Sequence, residues 1–180
     1  DEKFRAFAQE TTHGRVLDSA TLPEALNGLL RPYQKDGIAW MQFLRKYGFG
    51  GILADDMGLG KTVQVLALLE TYRAEMCKPT LIVCPKSLMR MWELEARKFT
   101  PDMRVKIIDG TVAERAAIIR DPGDAHILIT SYSLLQRDLA VYHAADASFF
   151  LMVLDEAHSI KNADTNTAKA VKLLPAMHRL

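Results

Sequence analysis

The chain has 180 residues, 49% of them hydrophobic and 25% charged, an ordinary composition for a soluble globular protein and enough for one well-buried domain. A formal net charge of +1 gives no global attraction for nucleic acid, so any such binding must come from a local patch. No apolar run approaches the ~18 residues of a membrane span and no charged-then-apolar leader opens the chain, which predicts an intracellular protein without membrane contact; Cys77 and Cys84 accordingly read as reduced thiols, not a disulfide or metal site.

Residues 1–28 read as a loosely attached lead-in, in which Pro23 and the Asn27-Gly28 pair predict turns in place of a long helix. Pro32 suits the first turn of a helix that Tyr47-Gly48 ends, with Trp40, Phe43, Leu44 and Tyr47 on its buried face. Gly50 to Leu53 predicts a short buried strand feeding a glycine-rich turn, and Val65, Leu68, Leu69 and Tyr72 form the stripe of the helix beyond it. Pro79 turns the chain into Thr80–Cys84, a strand apolar on both faces, as in a parallel sheet covered by helices. Pro85-Lys86-Ser87 then opens a helix with Leu88, Met91, Trp92 and Phe99 inward, and both tryptophans, Trp40 and Trp92, read as core anchors. A strand over 105–108, a helix over 112–120, a turn at 121–124, a strand over 126–130 and a short helix follow. Phe149 to Leu154 is another fully apolar strand, and a last helix places Ala170, Leu173, Leu174 and Met177 on one face. The alternation predicts an α/β fold: a doubly wound, mostly parallel sheet with helices on both faces, and ligands beyond the strands' carboxyl ends.

Two stretches carry chemistry. Asp56-Met57-Gly58-Leu59-Gly60-Lys61-Thr62 has the form of a phosphate cradle: backbone N–H groups and a helix N-terminus converge on a polyphosphate, and the two glycines allow close approach. Lys61 would reach the β and γ phosphates, and the Thr62 hydroxyl would sit on a bridging Mg²⁺. The generic pattern starts with a glycine separated by four residues from Gly60-Lys61-Thr62, and at that place this chain has Asp55. The second stretch is Asp155-Glu156, directly after an apolar strand. Asp155 would hold the Mg²⁺, commonly through water, and Glu156 would orient and deprotonate the attacking water. These acids could instead cap the start of a helix.

Leu30-Arg31-Pro32-Tyr33-Gln34, Asp55 to Thr62, Val83-Cys84-Pro85-Lys86-Ser87-Leu88 with Trp92, Ile129-Thr130-Ser131-Tyr132 and Asp155-Glu156-Ala157-His158-Ser159-Ile160-Lys161-Asn162 together resemble the ordered motifs of the Swi/Snf-type ATPases of helicase superfamily 2. The wording is nearest to bacterial members, and an aspartate at position 55 is itself typical of the family. The resemblance covers residues 29–180, which it implies are the first RecA-like, ATP-binding lobe of a DNA-dependent ATPase that translocates on duplex DNA and displaces proteins from it. It further implies ATP and Mg²⁺ as cofactors, Gln34 on the adenine edge, and Lys86, Ser87, Thr130 and Ser131, with Tyr132, on the DNA backbone. His158 would link the acids to the neighbouring lobe. A second motor lobe carrying arginine fingers is expected in the native chain, so the fragment should bind nucleotide and scarcely turn it over. A nucleotide-switched binding module, or another superfamily 2 motor, remains an open alternative.

Overall fold

The computed structural model describes residues 5, 7, 8, 18–56 and 58–180 and falls into two units, Asp1–Ala74 and Glu75–Leu180. The second holds the sheet. Its strands β1 (Thr80–Cys84), β2 (Val105–Ile107), β3 (Ile127–Ser131), β4 (Phe149–Leu154) and β5 (Ala176–Arg179) stand in the order β2-β3-β1-β4-β5, every neighbouring pair parallel. Leu81 is in register with Leu128 on one side and Met152 on the other, so the central strand is enclosed and every residue of β1 and β3 is buried, as their largely apolar sequences require.

The helices of this unit are α4 (Met89–Phe99), α5 (Val112–Arg120), α6 (Tyr132–Arg137), α7 (Leu139–Ala144) and α8 (Asn166–Leu173). Leu81 and Val83 point into a core with Ile119, Leu135, Tyr142 and Val171. Between them, Ile82 projects to the opposite face and is equally buried. Short polar residues cap three of these helices. Thr111 caps α5 and receives Glu114 in return, Ser131 caps α6, and Thr165 caps α8. At the other end of α8, the Arg179 guanidinium donates to the carbonyls of Val171 (3.1 Å) and Leu174 (2.6 Å). A buried, bidentate ion pair joins α5 to the α6–α7 junction: Arg115 Nε and Nη2 lie 2.6 and 2.8 Å from the two oxygens of Asp138.

The first unit contains α1 (Glu24–Asn27), α2 (Pro32–Lys46) and α3 (Lys61–Thr71). Gly48, at φ 75°, ends α2 where the sequence predicted. Half of the expected lead-in lies outside the described residues, but Phe7 packs on Phe43, Tyr47 and Phe49 at 4.8–5.8 Å between ring centroids, so it is anchored at that point.

Several expectations change. Residues 50–53 form no strand, and Ile52 is 87% exposed; Gly50 and Gly51 weaken any extended run, and all described strand pairing lies beyond residue 79. Trp40 is 36% exposed and stacks on Phe43, because Ile38, Met41 and Leu44 form the inward stripe of α2. Met91 is also exposed. A tight 3₁₀ turn at Lys86–Leu88 precedes α4 and shifts the phase of its buried face to Met89, Trp92 and Ala96. The final helix stops before Pro175, which holds Leu174 extended; Leu173 is therefore exposed and Met177 belongs to β5. The single short helix expected after β3 is two, α6 and α7.

Candidate functional site

Helix α3 starts at Lys61 behind Gly60, whose left-handed φ of 79° turns the chain into the first helical residue. No side chain caps this end, so the N–H groups of Lys61, Thr62 and Val63 have no partner within the helix and form the positive end of its dipole. Such a terminus suits an anion. Gly58 has φ 82°. Gly60 is constrained twice, by its φ and by space, since a Cβ there would collide with the Gln34 amide nitrogen.

Gln34 is 7% exposed, and both ends of its amide are used: Oε1 accepts the Arg31 N–H at 3.0 Å and Nε2 donates to the Leu59 carbonyl at 3.0 Å. Tyr33 Oη donates to the same carbonyl at 3.1 Å, so the start of α2 pins the glycine loop. The expected adenine reader is thus also a loop tether. An amide carries two N–H groups and two oxygen lone pairs, and one of each remains for a nucleobase edge. Lys61 Nζ donates to the carbonyls of Asp55 (2.6 Å) and Asp56 (3.0 Å), and Gln64, fully buried on α3, donates to Asp55 Oδ2 at 2.7 Å. Met57, counted in the expected cradle, lies outside the described residues.

In the second unit β4 delivers Asp155 at its carboxyl end. Three groups hold this residue: its N–H donates to Val83 O at 2.9 Å, Tyr132 Oη donates to its carbonyl at 2.8 Å, and Trp92 Nε1 donates to its Oδ2 at 2.8 Å. Burial, and secondarily the charge of Asp155, pushes the Tyr132 hydroxyl well above its ordinary pKa, so it remains a donor. The same two causes, in the same order, push the Cys84 thiol up to about 12, making it inert as a nucleophile. Glu156 follows with φ 52° and ψ 50°, a left-handed conformation unusual for a side chain of this kind, and its carboxylate lies 3.2 Å from His158 Nδ1. Glu156 stands at the N-cap position of the 3₁₀ turn Ala157–Ile160 but makes no side-chain capping bond there.

The expected DNA contacts separate into two kinds. Lys86 and Ser87 are exposed on the 3₁₀ turn, with Lys86 Nζ 3.5 Å from Asp109 Oδ1. The Asp109 carboxyl is held below its usual range, first by the Gly110 N–H and then by Lys86. Thr130 and Ser131 are 0% and 2% exposed; both lie in the enclosed strand β3, which Ser131 ends, and Ser131 Oγ accepts the Leu134 N–H at 3.3 Å. Their hydroxyls are turned inward, and Tyr132 is committed to Asp155. The Trp92, Tyr132, Gln64 and Asp109 contacts have no local sequence signature, since each joins residues 9 to 63 positions apart.

Within the first unit Thr62 carries a hydroxyl, and within the second Asp155 carries a carboxylate; each is a hard oxygen donor of the kind that suits Mg²⁺. Among the described residues no group of three or more His, Cys, Asp or Glu side chains could hold a metal by itself. No described helix is long and apolar enough to cross a membrane.

Residues 33–180 match the family model described as the SNF2-related domain. The TATA-binding protein-associated factor MOT1 of Saccharomyces cerevisiae is 38% identical over 99% of this chain, and helicase SWR1 of Debaryomyces hansenii is 42% identical over 86%; the chain spans only 10% of either relative. The Sulfolobus solfataricus SWI2/SNF2 ATPase core, solved in complex with double-stranded DNA, superposes with a TM-score of 0.73 at 36% identity over 92% of this chain and 33% of its own. With the glycine loop, the apolar strand ending in Asp155-Glu156 and the parallel sheet all in place, the chain belongs to the SNF2-related domain family.

Proposed function

We propose that residues 29–180 are the ATP-binding lobe of a DNA-dependent ATPase that moves along duplex DNA and remodels protein–DNA complexes, in the compartment that holds the cell's DNA. The observation that carries this reading is the uncapped start of α3 behind Gly58 and Gly60, with Lys61 and Thr62 as its first two residues. The backbone N–H groups there receive phosphate oxygens. Lys61 exchanges its two carbonyl partners for the β and γ phosphates, a charge-assisted interaction stronger than either. Thr62 and Asp155 would hold Mg²⁺, Glu156 would take a proton from the attacking water, and Gln34 would read the adenine edge. A bound Mg²⁺ neutralises charge developing on the phosphates. Lys86 and Ser87 contact the duplex backbone, which carries no base information, so this lobe binds without sequence preference. A second lobe with arginine fingers, elsewhere in the native protein, supplies the remaining rate, about three to five powers of ten.

The test separates binding from chemistry. In the uncut protein Lys61→Ala should abolish ATP binding by calorimetry, whereas Glu156→Gln should bind ATP normally and hydrolyse none of it. Equal loss of ATP affinity in both variants would make Glu156 a structural residue.

A further inference from the structure

The residue assigned to the metal is gripped by side chains from two other motif segments. Trp92 lies six residues after Lys86 on a helical path that runs without a break from the 3₁₀ turn Lys86–Leu88 into α4; it is 3% exposed, and its indole N–H ends on Asp155 Oδ2 at 2.8 Å. Tyr132 opens α6 directly after Ser131, and its hydroxyl ends on the Asp155 carbonyl at 2.8 Å. With the Asp155 N–H tied to Val83 of β1, the backbone of this residue is fixed, and the indole governs the direction of its carboxylate.

Building on the function proposed above, we infer that Trp92 is a positioning residue that links the DNA-contacting turn at Lys86–Ser87 to Asp155, with Tyr132 fixing the same acid from its backbone side. An indole nitrogen suits this position. It donates and cannot accept, so it engages one carboxylate oxygen and does not occupy the other, which would serve a bound Mg²⁺. It is also neutral, so Asp155 keeps the full charge that attracts Mg²⁺, which a lysine or arginine would offset. A helical segment is stiff, and the path from Lys86 to Trp92 covers about 10 Å, so displacement of the turn by a phosphate reaches the indole instead of dissipating in a loop. A buried indole N–H always needs an acceptor, so a purely structural tryptophan would form the same bond. The two roles differ in what its removal changes.

The experiment uses the uncut protein with Trp92→Phe, which keeps an aromatic ring and deletes the donor, and Tyr132→Phe, which deletes one hydroxyl. Mg²⁺ is titrated against the fluorescence of ribose-labelled ADP, and ATP turnover is measured with and without duplex DNA, with thermal unfolding and duplex affinity as controls. Trp92→Phe should raise the Mg²⁺ midpoint about tenfold, the effect of one hydrogen bond to a charged group. It should lower the ratio of DNA-stimulated to basal turnover by a similar factor, with duplex affinity within twofold of the parent. Tyr132→Phe should lower the same ratio, and it decides the matter if Trp92→Phe does not fold. Midpoints and ratios within twofold of the parent in the folded variants overturn the linkage while the ATPase reading stands. A parent protein without Mg²⁺-dependent nucleotide binding overturns both.

Discussion

Glu156 should make the protein less stable than a glycine would. Its φ of 52° and ψ of 50° place an L-residue in the left-handed region, which costs about 1–2 kcal/mol where no special local bond compensates. No side-chain capping bond offsets that cost at this position, and the contact with His158 at 3.2 Å is exposed and worth little. Glu156→Gly removes the strain but adds roughly 0.4–1 kcal/mol of unfolded-state entropy, leaving a net gain of about 0.5–1 kcal/mol. Glu156→Ala removes the same carboxylate and keeps the strain. At about 2–4 °C per kcal/mol for a chain of this size, the glycine variant should melt roughly 1–4 °C above the alanine variant in thermal unfolding followed by circular dichroism. Both should lose ATP hydrolysis in the uncut protein. A glycine variant that melts at or below the alanine variant would show that the backbone there is unstrained, and that the acid is held without cost.

Asp138→Ala leaves the Arg115 guanidinium buried beside its lost partner and should cost about 3–5 kcal/mol, whereas the double change Arg115→Met with Asp138→Leu should be nearly neutral; thermal unfolding of the three proteins checks both. Asp109→Asn releases Lys86 from its 3.5 Å partner and should raise duplex affinity severalfold, while Lys86→Ala should lower the slope of log affinity against log salt by about one unit. Because the folded pKa of Asp109 is depressed, its contribution to stability is present above the ordinary carboxylate value of about 4 and lost as pH falls through the lower folded value, so its effect on unfolding should be confined to acid. Gln34→Ala should weaken ATP by loosening the loop at Leu59 and should also reduce the preference for ATP over GTP; an unchanged ratio in competition binding would leave Gln34 with the tether alone.

Elements with a local cause were legible in the sequence. Thr80–Cys84 and Phe149–Leu154 are unbroken apolar runs that only a covered parallel sheet accommodates, and Val112–Arg120 carries its own capping box at Thr111 and Glu114. What failed depended on phase or on a partner. The apolar pattern points Met91 inward because the 3₁₀ turn before α4 leaves no trace in it, and it favours a strand at 50–53 although strand formation needs a neighbour that pattern alone cannot supply. At the site, the residue types at positions 58–62 and 155–156 predict phosphate chemistry from sequence alone, but the hold on Asp155 by Trp92 and Tyr132 spans 63 and 23 residues and exists only once the sheet has formed.

Asp55 shows how much of a phosphate-loop pattern is physical requirement. Glycine is needed where φ is positive or a backbone must come close, and both conditions fall on Gly58 and Gly60, at 82° and 79°. Asp55 is not among the described non-glycine residues of positive φ, so its place does not demand glycine's freedom. Its side chain has a further use. Oδ2 accepts the amide of Gln64, which is wholly buried on α3, while its carbonyl accepts Lys61 Nζ, so one residue ties both the backbone and the side chain of the loop's first turn to the helix. Beside it, Gly37 on α2 leaves room for the Gln64 oxygen, which a Cβ at that position would displace. A glycine at 55 would keep the carbonyl but leave a buried amide without its acceptor, a loss of about 1–3 kcal/mol. The aspartate that breaks the generic rule is therefore matched to Gln64 and Gly37, and the three should tolerate substitution only as a set.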